Sequence, residues 1–446
     1  MRAPFGIGGC GLYPGIPAFG IDEKGWMRVE KARRRHTSQG TQLVAKAIQE
    51  FLEPYQVATD VGVKIFIPAR YAEEIKNIKQ MSFKKAVEWE FFLGYPSLKA
   101  IYTISHQDGI LQKVTRQNIT QSLNLITTDL SKETNLALEE KLGDSKEWTS
   151  MTLRPFVLDL VARVSSCLFC RNEEWLDLTK NYTLDSFAAG RVLRSWPFAL
   201  RPIIWFQDAF ERNGLEPRPA DAQLALSVVA IHTTTELLTG TLLDLTQNGD
   251  FIANLREEMT HVLEEQHADG DGDAERVGKT FWKKSSLYKL KLLDSALKES
   301  QRMHTRDIAS MRRIAEAPVK LSDGTVIPKG AFTWVTLHAY KDRNIYANPE
   351  IYNPRRFLDL RNQSEQENKW QLVSTTADPL GFGHGEHACP ERFFASNEVK
   401  IALVHLLMKY DWELAEGQRP RDVVKGASER GVAGKRGFCS GGDRKR

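Results

Sequence analysis

Cysteine is scarce in this chain, which has 446 residues and five cysteines, at positions 10, 167, 170, 389 and 439. An odd, sparse set without a recognisable signal peptide indicates a reducing compartment and excludes a small disulfide-stapled fold. Cys167 and Cys170 form a CxxC pair. No second pair and no nearby histidine completes a zinc site, so we interpret both as core residues.

A charge excess of either sign is also missing, because 61 basic and 57 acidic residues give a net charge of +4. This balance argues against nucleic-acid binding. No Pro- or Ser-rich linker and no repeat of 20–50 residues divides the chain. We therefore expect one domain over about residues 55–414. Residues 1–54 are predicted to hold no membrane anchor, and residues 415–446 are predicted to be a disordered, basic, Gly-rich tail.

Helical patterns outnumber strand patterns, which predicts a mainly α fold with small β-sheets, an α+β arrangement. Helices are predicted at about 106–142, 150–170, 183–213, 220–266, 286–303 and 392–409. Strands are predicted at 56–61 and 63–68, and a hairpin with Asp-Gly at its turn is predicted at 322–328.

One loop carries more chemical information than any other segment. Residues 382–395, FGHGEHACPERFFA, present Cys389 directly before a helix-forming run. Backbone N–H groups at the start of that helix, together with its dipole, can stabilise a thiolate. Gly383 and Gly385 let the loop turn tightly and approach a flat cofactor. A free cysteine is more often a small buried hydrophobe, but the loop glycines favour an iron ligand.

Two charged motifs precede this loop. Glu299 and Arg302 lie three residues apart in KESQR and share a helix face. The pair alone is weak evidence for a functional motif, because such pairs usually lie on the solvent-exposed faces of helices. Some fifty residues later, NPRRF at 353–357 contains Arg356. The order and spacing of the motifs give them their weight.

Residues 224–245 form a long apolar run with a polar centre that contains His232, Thr233 and Glu236. These polar groups predict a helix buried in protein rather than a membrane span. The alternative is that the threonines only bond to the backbone of an ordinary core helix.

Together these motifs resemble the cytochrome P-450 superfamily. AIHTTT, LSDGTVIPKGAFT, and HACP before RFFASNE resemble its fungal members in secondary metabolism, which oxidise terpenoids, indole diterpenes and related mycotoxin precursors. The resemblance implies a cysteine-ligated haem with Cys389 as the iron ligand. It implies haem contacts from Phe382, Gly383, Gly385, His387 and Arg312.

The resemblance also implies roles for the earlier motifs. Glu299, Arg302 and Arg356 would form a buried carboxylate–guanidinium network behind the haem, with a structural role. Thr233 would handle protons on bound dioxygen. His232 stands where most members carry an acid, and histidine can also relay protons near neutral pH.

The implied reaction inserts one oxygen atom from dioxygen into a C–H bond of a large apolar molecule, with electrons from NADPH through a cytochrome reductase. Family members are anchored to the endoplasmic reticulum, whereas a chain without an anchor is expected to be cytosolic or peripheral. Glu391 stands where the family usually has glycine, and we expect it to reduce haem retention. Two alternatives stay open: a haem-thiolate catalyst of rearrangement or dehydration, and a non-catalytic relic without a productive haem site.

Overall fold

The structure is a computed structural model, and it describes residues 11–21, 28–59, 61–91, 112, 115–144, 146–169, 219–268, 282–305, 308–378, 380–415 and 437–441. The helix predicted at 183–213 lies outside these residues, as does Cys170 of the CxxC pair.

The described helices span most of the predicted helical segments. They are α1 Arg28–Glu50, α2 Ala72–Ile75, α3 Phe83–Glu90, α4 Leu123–Leu142, α5 Leu153–Phe169, α6 Pro219–Thr246, α7 Gly249–Ala268, α8 Lys284–Lys289, α9 Lys291–Met303, α10 Arg356–Arg361 and α11 Arg392–Lys409. A π-helical turn, Thr115–Ile119, precedes α4.

Helix α11 is the centre of the helical core. It has the predicted bounds, and Val399, Leu403 and Leu406 along it are fully buried. It packs against α4, α6, α7 and α8. Because burial extends around most of its circumference, the residues at its N-terminus, which follow Cys389, are fixed to the interior of the protein.

The single helix expected at 220–266 is instead two helices, α6 and α7. Asn248 lies at the break, where its side-chain Nδ2 donates a hydrogen bond to the Asp244 carbonyl. Its own carbonyl accepts the Phe251 N–H at 2.9 Å. Asparagine side chains compete for backbone hydrogen bonds and so disfavour helix interiors, and Gly249 follows. The helical spacing of apolar residues continues on both sides of this turn, so the spacing did not reveal the break.

The described strands form three small sheets. They are β1 Ala18–Phe19, β2 Tyr55–Thr59, β3 Gly62–Ile67, β4 Met81–Ser82, β5 Thr149–Thr152, β6 Ala309–Ala315, β7 Val319–Lys320, β8 Val326–Ile327, β9 Phe332–Thr336, β10 Asp411–Leu414 and β11 Gly437–Gly441. The six-stranded sheet has the order β1-β2-β3-β9-β6-β4, a three-stranded sheet has the order β10-β11-β5, and β7 pairs with β8.

The C-terminal tail is not wholly irregular. Strand β11, Gly437–Gly441, pairs antiparallel with both β10 and β5. The prediction that residues 415–446 are disordered is therefore wrong for these five residues. Their sequence lacks the alternation of apolar and polar residues that predicts a strand. Backbone hydrogen bonds to the two partner strands form the strand without it.

The hairpin at 319–327 has the turn geometry that its Asp-Gly sequence predicts. Gly324 adopts a positive φ of 91°, and the Asp323 side chain accepts the Thr325 N–H at 2.9 Å. Both features belong to the turn chemistry that Asp-Gly predicts.

Helix α6 is held within the protein, as its polar centre predicts. Glu236 pairs with Arg154 of α5 at 2.8 Å. Among the helices in the described part of the chain, none is both long and apolar enough to cross a bilayer.

Candidate functional site

The cysteine loop turns at two glycines that have positive φ angles. Gly383 and Gly385 have φ of 70° and 75°, where a side chain is disfavoured. A Cβ atom on Gly385 would also lie 2.7 Å from the Lys76 side chain. The Cys389 N–H closes the loop by donating to the Phe382 carbonyl at 2.8 Å. The predicted need for glycine at these two positions is therefore met by the observed backbone.

The loop is attached to the segment that contains helix α2. The two ring nitrogens of His384 lie 2.6 Å from the Thr375 carbonyl and 2.7 Å from the Glu73 carboxylate. The Glu386 N–H donates to Asn77 Oδ1 at 2.9 Å. These contacts join the loop to a separate part of the chain, so its shape does not depend on helix α11 alone.

Cys389 lies at the start of α11 and is partly exposed. The backbone N–H groups of Glu391 and Arg392 donate hydrogen bonds toward its sulfur, as predicted for a thiolate before a helix. Burial nevertheless raises the pKa of the Cys389 thiol to about 12, and the Glu391 carboxylate adds to the rise. The sulfur becomes a thiolate when a metal ion displaces its proton.

Glu391 is buried, and its backbone has φ of −90° and ψ of 2°. Any L-residue can adopt this conformation, so the backbone itself does not require the glycine that the family usually has. Burial raises the pKa of Glu391 to about 7, while a hydrogen bond from Thr115 opposes the rise. Its Oε1 atom has no hydrogen-bond partner among the described residues. The cost that the structure shows for a glutamate at this position is the burial of a carboxyl group.

Two arginines and a histidine lie close together at the loop. Arg116 Nη2 donates to the Glu386 carbonyl at 3.1 Å. The Arg313 guanidinium lies 5.5 Å from the Phe83 ring centroid, and Phe83 stacks on His387 at 5.3 Å. Burial and the neighbouring Arg313 lower the pKa of His387. Guanidinium groups bind carboxylates bidentately, so this cluster suits an acidic ligand.

The side chains of Arg312 and Arg313 in strand β6 make contacts with different parts of the protein. Arg312 Nη1 lies 2.7 Å from Glu90 Oε2, whereas Arg313 lies beside the cysteine loop. The strand has a register irregularity between Ser310 and Arg313, and Met311 within it has φ of 49°. Such bulges redirect side chains. The haem contact predicted for Arg312 stays a prediction, and Arg313 is the arginine that the described contacts bring to the loop.

The threonines of α6 have different environments. Thr233 and Thr235 each donate a 2.7 Å hydrogen bond to the carbonyl four residues earlier, as the core-helix alternative expects. Thr235 is buried, however, and Thr233 is exposed. The Thr234 hydroxyl is buried without a hydrogen-bond partner among the described residues, and His232 is half-buried. Thr233 is thus the member of the run that faces open space.

The structure brings together the three residues of the predicted carboxylate–guanidinium network. Glu299 accepts two 2.8 Å hydrogen bonds from Arg302 and one of 2.9 Å from Arg356 Nε. Arg302 also donates to the carbonyls of Tyr340 and Pro349 at 2.7 and 2.8 Å. Glu299 is fully buried. This network connects α9, α10 and the loops before α10, and every charge within it has a partner.

Sequence reasoning missed Arg116 and Arg313. Arg116 lies in the π-helical turn Thr115–Ile119, inside a segment predicted only as an ordinary helix, so no local signal marked it. Arg313 is adjacent to the predicted Arg312, and alternating side chains in a strand place neighbours on opposite faces. The bulge decides which of the two meets the loop, and a sequence does not show a bulge.

Comparisons with known proteins identify the family that the motifs resemble. A family model described as Cytochrome P450 matches residues 224–433. Cytochrome P450 monooxygenase 1 of Gibberella fujikuroi is 36% identical, covering 82% of this chain and 92% of that protein. Cytochrome P450 monooxygenase adrA of Penicillium rubens is 35% identical, covering 89% and 86%. Cytochrome P450 monooxygenase TRI1 of Fusarium sporotrichioides is 35% identical, covering 83% and 75%.

A solved structure supports the fold. The crystal structure of P450BioI in complex with an acyl carrier protein ligated to hexadec-9Z-enoic acid aligns with a TM-score of 0.58 at 15% identity. The alignment covers 92% of this chain and 100% of that chain. At this identity the likeness concerns the fold alone.

Proposed function

Because this chain belongs to the cytochrome P450 family, we propose that it inserts one oxygen atom of dioxygen into a large apolar precursor of a fungal secondary metabolite. The family's cofactor is a haem whose iron is bound by a cysteine. The substrate class, a terpenoid or indole diterpene, is supported by the likeness of AIHTTT and HACPERFFASNE to fungal members.

The residues at the cysteine loop fit a haem. Cys389 has a sulfur that receives two backbone N–H groups, and it would be the iron ligand. Arg392 has a buried Nε atom without a hydrogen-bond partner among the described residues. Arg116, Arg313 and His387 would hold the two propionates. When bound, the haem supplies the oxygen-activating chemistry.

The chain's own contribution lies in proton handling and positioning. Thr233 has an exposed hydroxyl whose hydrogen is donated to the Val229 carbonyl at 2.7 Å. Release of that bond would let Oγ1 donate or accept a proton on the open side of α6. His232, half-buried one position earlier, would relay protons where most family members use an acid.

We further propose that the electrons come from NADPH through a cytochrome reductase, and that the protein works on the cytosolic side of the endoplasmic reticulum, as family members do.

The observation that carries the proposal is the loop that presents Cys389 to the N–H groups of α11. The test is the difference spectrum of the dithionite-reduced protein with and without carbon monoxide, for the wild-type chain and Cys389→Ser. We expect a strongly red-shifted Soret band that the substitution abolishes. A band typical of histidine-ligated haem, or no haem in the wild-type chain, would overturn the proposal.

Thr233→Ala separates oxygen insertion from a haem-thiolate rearrangement. Positioned proton-transfer groups contribute roughly 10²–10⁴-fold to rates, so product formed per NADPH consumed should fall sharply. A rearrangement consumes no NADPH and should barely change. Thr235→Ala is the matched control because Thr235 makes the same backbone bond but is buried. Equal effects of the two substitutions would remove Thr233 from the mechanism.

A further inference from the structure

The two hydrogen bonds of His384, in the cysteine loop, constrain the protonation state of its ring. Nδ1 lies 2.6 Å from the Thr375 carbonyl oxygen, and Nε2 lies 2.7 Å from Glu73 Oε1. A backbone carbonyl and an ionised carboxylate only accept hydrogen bonds, whereas a neutral imidazole carries a hydrogen on just one nitrogen. In a neutral ring one nitrogen lone pair would therefore face an acceptor oxygen at hydrogen-bond distance. The two contacts together require a hydrogen on each nitrogen.

This argument depends on Glu73 being ionised. Lys76 Nζ lies 2.6 Å from Glu73 Oε2, and the Glu73 side chain is 57% exposed. The hydrogen bond from Lys76 lowers the pKa of Glu73, burial partly opposes this effect, and His384 adds to the lowering. The carboxylate is thus charged at neutral pH and can only accept a hydrogen bond from the ring.

The other charged side chains on the neighbouring segments make contacts elsewhere. Glu74 of α2 accepts two 2.8 Å hydrogen bonds from Ser322. Asp378, on the segment that provides the carbonyl partner, pairs with Lys369 at 3.1 Å. Glu386, in the cysteine loop itself, is exposed. Within the described part of the chain, Glu73 is the charged group that bonds to the His384 ring.

The His384 side chain is only 8% exposed, so water cannot readily replace a bond that the ring loses. Loss of one proton would leave a single N–H for two acceptors. The bond to the Glu73 carboxylate is charge-assisted and therefore the stronger, so the Thr375 carbonyl would lose its donor. An acceptor left unsatisfied in a buried position is costly, and the loop would lose one of its attachments to the rest of the protein.

We infer that His384 is a doubly protonated positioning residue, whose imidazolium fixes the Cys389 loop to the segments of Glu73 and Thr375 and releases one of them when it loses a proton. The consequence for haem retention rests on the proposed function. The charge of the ring does not, because it can be measured in the protein without haem.

The first test is ¹⁵N NMR of the haem-free protein labelled at histidine, at about pH 7.5, where an ordinary histidine is mostly neutral. We expect both ring nitrogens of His384 to have the chemical shifts of protonated nitrogens. His384→Gln identifies the signal by its loss, and the exposed His261 is the reference for a ring in solvent. One protonated and one bare nitrogen on His384 would overturn the inference.

Glu73→Gln provides a second route to the same signal, which serves if His384→Gln does not fold. The variant keeps an acceptor oxygen and removes the negative charge, which disfavours the imidazolium. The pH midpoint of the His384 signal should therefore fall by up to about 0.7 pH units. Glu367→Gln, at an exposed position, should leave the midpoint unchanged. A midpoint that does not move in Glu73→Gln would contradict the pairing.

The positioning role is tested by haem transfer to apomyoglobin across the measured midpoint. The wild-type rate should rise roughly threefold to tenfold as the ring loses its proton. His384→Gln is neutral at every pH, so its transfer should be fast throughout and show no step, whereas His261→Gln should behave like the wild type. No step in the wild type, or a step that persists in His384→Gln, would overturn the role.

Hydrogen exchange separates this inference from the proposed function. The Cys389 N–H is bonded to the Phe382 carbonyl, and its protection, corrected for the intrinsic exchange rate, reports the closure of the loop without haem. Protection should fall across the His384 midpoint in the wild type and stay low in His384→Gln. A protein that takes up no haem but shows this pattern would contradict only the proposed function. Protection that is independent of the midpoint would contradict the positioning role.

Discussion

Two buried glutamates of this protein have opposite surroundings. Glu299 accepts hydrogen bonds from two arginines at 2.8–2.9 Å, and both of its oxygens are used. Glu391 is buried nearly as fully. It receives a hydrogen bond from Thr115, and its Oε1 has no partner among the described residues. A buried carboxylate costs several kcal/mol unless its charge is compensated, so equal burial has different consequences in the two regions.

The difference separates a scaffold from a working site. The network of Glu299, Arg302 and Arg356 is complete with protein groups alone, so we expect it to form whether or not haem is bound. The cysteine loop and the helix α11 that follows it carry polar atoms without a hydrogen-bond partner among the described residues, on Glu391, Arg392 and Glu398. Proteins tolerate such local conflicts mainly at functional sites, where other parts of the fold supply the stability.

Breaking the network should have the largest effect on stability. Arg356→Leu removes the 2.9 Å bond to Glu299 and the hydrogen bonds to the carbonyls of Asn348 and Ile351. Removing one partner of a buried ion pair costs roughly 3–5 kcal/mol. The apparent free energy of unfolding, from denaturant titration followed by circular dichroism, should fall by that amount.

The neighbouring Arg355 provides the control. Its side chain is about half exposed and lies 4.0 Å from Asp359, so Arg355→Leu should change the free energy of unfolding by no more than about 0.5 kcal/mol. Similar losses for the two variants would show that the buried network has no special part in stability.

The second prediction concerns Glu398, which lies on α11 and accepts a 2.6 Å bond from Ser165. Burial raises the pKa of Glu398 to about 8, against an ordinary value of 4.5. Below about pH 4.5 the group is protonated in both folded and unfolded protein. Between about pH 4.5 and 8 the unfolded chain ionises first, so the free energy of unfolding falls as pH rises, by up to about 1.4 kcal/mol per pH unit.

Glu398→Gln should therefore flatten the pH dependence of unfolding between pH 5 and 8. The variant should be more stable than the wild-type protein at pH 8 and nearly equal to it at pH 5. Glu413→Gln, on the exposed side of β10, is the matched control and should leave the slope unchanged. An unchanged slope for Glu398→Gln would mean that the carboxyl group is compensated in the folded protein.

The same contrast explains what the sequence could predict. The network was predictable because Glu299 and Arg302 share a helix face, and because NPRRF follows that pair some fifty residues later, in the order and at the spacing of the family's motifs. The turn at Gly383 and Gly385 was predictable because a positive φ selects glycine. The roles of Arg116 and Arg313 were not, since each depends on how a turn or a bulge aims a long side chain toward a loop that is distant in sequence.

The state of Glu391 was predictable only in part. The sequence marked it as a departure from the family's glycine, and its expected effect was crowding of the turn or a change in the thiolate's hydrogen bonds. The structure gives it an ordinary backbone conformation and an N–H directed to the Cys389 sulfur. Its cost comes from burial, a property of the surrounding helices that local sequence does not contain.

The third prediction tests this cost. Glu391→Gln removes the charge and keeps the size of the side chain, whereas Glu391→Gly removes both. If electrostatics dominates, both variants should slow haem transfer to apomyoglobin several-fold, because the carboxylate opposes the thiolate. If crowding dominates, only Glu391→Gly should do so. Haem loss that neither variant slows would remove Glu391 as a cause of weak haem retention. Glu413→Gln changes an exposed carboxylate of β10, outside the loop, and is the control.

The smallest expected effect concerns the attachment of the loop to helix α2. Glu73 accepts hydrogen bonds from His384 at 2.7 Å and from Lys76 at 2.6 Å, and its side chain is 57% exposed. Glu73→Gln keeps an acceptor oxygen and removes only the charge. An exposed pair contributes at most about 1 kcal/mol, so the free energy of unfolding should fall by less than this amount.

High salt should erase the effect of Glu73→Gln, because exposed charges are screened within about 10 Å at 0.1 M ionic strength. Glu367→Gln, which changes another exposed carboxylate, should have no effect at either salt concentration. A loss comparable to that of Arg356→Leu, persisting at high salt, would show that the loop depends on this surface contact as strongly as the scaffold depends on its buried network. In that case the division between a self-sufficient scaffold and a cofactor-completed loop would be wrong.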